Sequence, residues 1–192
     1  KAIPVLSRLE NEADVSQNKT YAQSNLMKLY YNKKDYPNSG IYAEKVLMNP
    51  KADDNVKSDA QIIIARAAIE TGDEAKAKVA YAKVLAIAKG ELAAEALYYD
   101  AYFKNKEGKF EASNAAVQKI AKNYSSYKYF GAKGLILMAK NFYGLKDSYQ
   151  ATYILENVIQ NFTDYPDVVS EAKTELNAIK TEEAKTNSSI TK

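Results

Sequence analysis

The chain has 192 residues, 27 of them lysine or arginine and 24 aspartate or glutamate, for a formal charge of +3. Apolar residues make up 46%, which excludes a disordered chain and supplies a core. Cysteine and histidine are both absent, which removes disulfides, thiolate metal sites and thiol or imidazole catalysis and argues against an enzyme.

Arg8 and Arg66 are the only arginines, and lysines alternate with glutamates, as in "EAKAKVAYAK". A nucleic-acid binder shows a basic stripe with forked arginine contacts, so no nucleic-acid partner is expected. The longest apolar stretches, "QIIIA" and "GLILMA", fall far short of the roughly 20 residues of a membrane-spanning helix. No cofactor motif is present: phosphate loop, serine-nucleophile elbow and metal constellation are all missing from the sequence. The paired carboxylates Asp53-Asp54 and Glu182-Glu183 fall in a loop and a tail, where capping or solvation is the expected role.

In chain order, the first element is a lone helix at about 2–14, with Ile3, Leu6 and Leu9 on one stripe. Four helix pairs follow, at about 18–49, 56–88, 90–123 and 126–162. Within each pair a turn separates the helices: "YYNKKDY", "IETGDE", "NKEGKF" and "YGLKDS". Gly72 and Gly108 occupy slots that favour a left-handed residue, and Asp35, Asp73 and Asp147 are placed to cap the next helix. Pro4, Pro37 and Pro166 fit first helical turns, and Pro50 falls between pairs. A last helix is expected at about 165–184. Its charged Glu171, Lys173, Glu175 and Lys180 oppose Val168, Ala172, Leu176 and Ile179, as in a polar cap. The tail 185–192 is polar and expected to fray.

The pairs repeat in phase. The early small residues Ala2, Ser39, Ala77, Ser113 and Ala151 stand 37, 38, 36 and 38 residues apart, and so do the late bulky residues Leu9, Val46, Val84, Ile120 and Val158. Second helices as alanine-rich as "TGDEAKAKVAYAKVL" pack closely only against another backbone, and Met27, Ala65, Ala101 and Ala139 are the facing positions. The helix at 2–14 matches a second helix with no first helix before it. With no methionine or signal-like segment at Lys1, the chain reads as the C-terminal part of a longer array, cut inside a repeat.

This pattern resembles the tetratricopeptide repeat family, through Leu26, Tyr30, Tyr36, Ser39 and Leu47; Ala65, Ala77, Tyr81 and Leu85; Ala101, Phe110, Ser113 and Ile120; and Ala139, Phe142, Ala151 and Val158. It departs from that pattern in lacking tryptophan, in replacing the first-helix glycine mostly by alanine, and in having slightly long periods. The resemblance implies an all-α, right-handed superhelical solenoid of antiparallel helix pairs, about ten helices, forming a single repeat domain over 1–184. "KNYSSYKYFGAK" and "QNFTDYPDVVSEAKTEL" resemble repeat junctions of bacterial cell-envelope members of that family, such as the outer-membrane assembly lipoproteins and Tol–Pal accessory proteins. That implies a periplasmic or outer-membrane-associated location.

The same resemblance implies a concave groove lined by first helices and holding a protein or peptide partner. Counting three, six and ten residues back from Lys34, Gly72, Gly108 and Lys146 gives its lining. The polar and aromatic candidates are Lys28, Tyr31, Arg66, Tyr98, Tyr102, Asn105, Lys140 and Tyr143, with Ser24, Ile62, Ile69 and Ile136 beside them. Lysines and tyrosines there suit an extended peptide or an acidic C-terminus. They equally suit an ordinary solvated face with rings packed between helices. The alternative to a binding scaffold is a structural spacer with no groove ligand.

Overall fold

The computed structural model describes residues 2–190, with side chains through residue 186. Among the described residues there are ten helices and no strand. They are α1 (Ala2–Glu12), α2 (Ser16–Asn32), α3 (Tyr36–Met48), α4 (Asp54–Glu70), α5 (Glu74–Ile87), α6 (Gly90–Lys106), α7 (Phe110–Asn123), α8 (Lys128–Gly144), α9 (Ser148–Asn161) and α10 (Pro166–Ile190). The chain divides into two compact units between Ala88 and Lys89.

In the first unit each helix from α1 to α4 packs on its successor, and α2 also meets α4. Met27, Ala43, Val46, Ala52, Ala60 and Ile63 form its core. In the second unit α6 to α9 do the same, with α8 also touching α6 and α10. Its core holds Ile136, Leu155, Val158, Val168, Ala172 and Ile179 around Ala139 and Ala151, with a second cluster at Ala101, Ala116, Val117 and Leu137.

The small residues explain how a helix as thin as α5 is held. Ser39 Oγ donates to the carbonyl of Met27 at 3.1 Å, and Ser113 Oγ donates to that of Ala101 at 2.8 Å. Each hydroxyl reaches back twelve residues to the backbone of the preceding helix. Only helices in close approach permit this. Ala77 and Ala151 occupy the same slots opposite Ala65 and Ala139, and all four are fully buried. Ala77→Leu therefore forces α4 and α5 apart and is expected to cost about 1–3 kcal/mol. The exposed change Lys83→Ala should stay within about 0.5 kcal/mol. Equal urea midpoints for the two variants would contradict the close approach.

Four turns share one construction. Lys34, Gly72, Gly108 and Lys146 all have φ between 60° and 74°. In each, the amide of this residue bonds back three positions. The next amide bonds back five: Asp35 to Tyr30, Asp73 to Ala68, Lys109 to Lys104 and Asp147 to Phe142, all at 2.9 Å. These bonds satisfy carbonyls that the helix end leaves open. The residue closing one helix also starts the next. Asp35, Asp73 and Asp147 accept from the amides of Asn38, Lys76 and Gln150, whereas Lys109 makes no such bond. Its backbone (φ −86°, ψ 63°) nearly matches that of Asp73 (φ −83°, ψ 75°). Lys109→Asp should thus complete the fourth cap and, after loss of the exposed Lys109–Glu107 pair, raise stability by about 0.5–1 kcal/mol. A urea midpoint at or below the parent's would show that the cap does not form.

Asp53 caps α4 through the Val56 amide, a capping role its loop position predicts. Of the polar tail 185–192, residues up to Ile190 continue α10, and 191–192 lie outside the described residues. The tail contains no glycine and no proline to stop the helix, and Thr186 Oγ1 donates to the Glu182 carbonyl at 3.0 Å.

Candidate functional site

In the first unit the candidates sit on α2 and α4. Lys28 pairs with Asp59 at 2.6 Å, both half-exposed, so its charge is already neutralised. Tyr31 is half-buried against the core and meets Tyr36 edge-on at 5.8 Å between ring centroids. Arg66 is half-buried and engaged. Ser24 and Ile62 are buried, so these two groove candidates belong to the core. The first helices pack on one another there, α2 against α4.

A feature the sequence analysis missed anchors α1. The Glu10 side chain is only 6% exposed and accepts from Lys45 Nζ at 2.8 Å and Gln23 Nε2 at 3.2 Å. Lys45 also lies over the Tyr42 ring at 4.5 Å. Burial alone raises a carboxyl's pKa. Here the bonds from Lys45, Gln23 and Tyr42 outweigh it and hold Glu10 below the ordinary range. The stabilisation is therefore fully present at neutral pH and down to the unfolded value of about 4.3. It is lost as pH falls through the lower folded value. Glu10→Gln should destabilise the protein at pH 7, with the gap to the parent closing toward pH 3. A gap independent of pH in chemical denaturation would show that the charge contributes nothing.

In the second unit Tyr98, Tyr102 and Asn105 come from α6, and Lys140 and Tyr143 from α8. Tyr98 and Tyr102 belong to a continuous row of rings: Tyr165, Tyr129, Phe130, Tyr98, Tyr99, Tyr102 and Phe103. Successive centroids lie 5.1–6.3 Å apart, mostly edge-on. The row runs from Tyr165, the residue before α10, over α8 to α6. Lys133 Nζ lies 5.7 Å from the Tyr98 ring and Lys106 Nζ 5.6 Å from the Tyr102 ring. Burial pushes the Tyr98 hydroxyl far up, and Glu171 adds to this. Burial and the bond donated to Asp167 push Tyr129 up to about 12. Both hydroxyls are thus neutral donors throughout the physiological range.

The α10 carboxylates Asp167, Glu171 and Glu175 receive Tyr129, Lys133 and Lys140 of α8. From the sequence, Glu171, Glu175 and Lys180 are expected on the polar face of a capping helix. The structure turns Glu171 and Glu175 to α8 and pairs Lys180 with Glu156 of α9. Their four-residue spacing was the available signal. Asn105 donates to Asn141 at 2.7 Å. The fully buried Asn141 donates in turn to Ser113 Oγ at 2.9 Å and Asn114 Oδ1 at 2.7 Å. Asn105 is thus part of a structural ladder. Tyr143 is half-buried on the core, and Ile136 is buried within it.

Among the described residues no helix is long and apolar enough to cross a membrane. No protein-family model matches the chain, and no curated protein matches it.

Proposed function

We propose that this protein is a tetratricopeptide-like scaffold. In each unit antiparallel helix pairs would stack as in a solenoid and present their first helices to a protein or peptide partner, in a bacterial cell envelope. It carries out no reaction of its own on this reading. The turns at Lys34, Gly72, Gly108 and Lys146 and the twelve-residue hydroxyl-to-carbonyl bonds recur at the repeat spacing and support the stacking.

The observation that carries the binding role is the ring row over α6 and α8, which ends at Tyr165. Tyrosine offers rigid contact area with a polar tip, the chemistry enriched at binding surfaces. The neighbouring Lys133 and Lys140 are already paired. The rings, rather than free cations, therefore supply the affinity, and an acidic C-terminus is no longer the favoured ligand.

Immobilised protein should retain a partner from a bacterial envelope extract. Tyr102→Ala should weaken capture at least about tenfold, equivalent to about 1.4 kcal/mol, while 0.5 M salt changes it little. The competing reading, a structural spacer, draws on the same paired lysines and half-buried rings. It predicts that nothing captured depends on Tyr102. Equal capture by parent and variant, with both folded by circular dichroism, would favour the spacer.

A further inference from the structure

A cleft of about 380 Å³ opens in the second unit between α7, α8 and the end of α9. Val117, Ile120, Leu135 and Phe162 supply its apolar lining. Val117 and Ile120 are core residues, 3% and 0% exposed, so the floor is rigid.

The cleft owes its space to α8. Three glycines stand in that helix, and packing demands two: a Cβ at Gly144 would lie 2.6 Å from Phe110 Cζ. A Cβ at Gly134 would lie 3.0 Å from Val117 Cγ1, so that glycine lets α8 and α7 approach. A Cβ at Gly131 would meet nothing within 4 Å, and Gly131 lines the cleft. A glycine inside a helix costs roughly 0.5–1 kcal/mol relative to alanine. The corresponding position 38 residues earlier is Ala93. Gly131 thus weakens α8 without relieving any clash, and what it leaves is the open cleft.

The cleft carries a single charge, on an exposed lysine. Lys128 is its only charged lining residue. On the same helix Lys133 and Lys140 pair with Glu171 and Glu175. Among the described residues no carboxylate pairs with Lys128. An apolar cavity beside an unneutralised ammonium is complementary to an apolar group carrying a nearby carboxylate.

We propose that this cleft is a second docking site, which takes a bulky apolar side chain from an acidic segment of a partner protein, with Lys128 meeting the flanking carboxylate. None of its lining residues belongs to the ring row, so the site stands independently of the reading above.

The capped tripeptide Asp-Phe-Asp and its isosteric counterpart Asn-Phe-Asn, titrated into ¹⁵N-labelled full chain at pH 7, test it. The acidic peptide should give saturable shifts confined to amides of 117–135 and 160–162 and bind at least fivefold tighter than the neutral one. Lys128→Gln should remove that preference. Gly131→Leu should abolish binding of both peptides without lowering the melting temperature, since leucine favours the helix and fills open space. If that variant melts below the parent, Ala121→Phe, an exposed position on the α7 wall, takes its place with the same expectation. Shifts scattered over the surface, equal affinity for the two peptides, or binding indifferent to both cleft-filling variants would overturn the proposal. So would decanoate binding at these amides tighter than the acidic peptide.

Discussion

Each second helix from α3 to α9 meets the first helix before it through a small side chain, and the rest of the architecture follows from that contact. Where the residue is serine, the approach is close enough for a hydroxyl to reach a backbone carbonyl, at Met27 and at Ala101. Where it is alanine, at Ala77 and Ala151, the same slot is filled by a methyl group alone. A larger residue would separate the axes and open a void beside Val46, Val84, Ile120 and Val158, which lie one to two turns further on and are fully buried. The serine slots carry a second duty. Ser113 Oγ also accepts from Asn141, which fixes α8 against α6 and α7 through Asn105 and Asn114. A buried amide with both its ends satisfied specifies register, because a slip by one turn would leave it unpaired.

The turns impose the second constraint. One residue closes a helix by bonding back five positions and opens the next by accepting from its third amide. Such sharing leaves no freedom in turn length, and it keeps each small residue in front of its facing position. Lys34 and Lys146 adopt the left-handed conformation despite their Cβ atoms, at a cost of roughly 1–2 kcal/mol each. The retained bonds at Asp35 and Asp147 offset that strain.

Both constraints were legible in the sequence because both are local and periodic. The small residues, the Gly-Asp and Lys-Asp turns and the prolines recur at fixed offsets and depend on the chain's own backbone. Helix ends therefore fall within a few residues of their sequence signals, and α10 runs on through a polar segment that holds no glycine or proline. The candidate site was less legible. That Lys28 meets Asp59, or Lys140 meets Glu175, depends on two helices lying side by side. The alternation of lysine and glutamate along the chain does not encode that. Ser24, Ile62 and Ile136 were assigned to a groove for the same reason: their helical phase is right, but neighbouring first helices cover them. Glu10 and Asn141 escaped notice because a buried polar residue has no sequence signal apart from its distant partners.

Charge pairing decides what each surface of the second unit can discriminate. At 4 Å an isolated ammonium attracts a carboxylate by about 1 kcal/mol in water and several times that near a protein surface. Lys140 already has Glu175 at 2.8 Å, so an incoming anion would exchange one ion pair for another at little net gain. The rings beside it already meet Lys106 and Lys133, and Tyr129 donates to Asp167, so selection on that face falls to shape. Lys128 presents the opposite case, an unneutralised cation on the edge of an apolar cleft. Added salt should therefore act on the two surfaces differently, screening attraction at Lys128 while leaving ring contacts nearly unchanged. The carboxylates of α10 create that difference, because by neutralising the α8 lysines they leave the attraction of anions on that helix to Lys128.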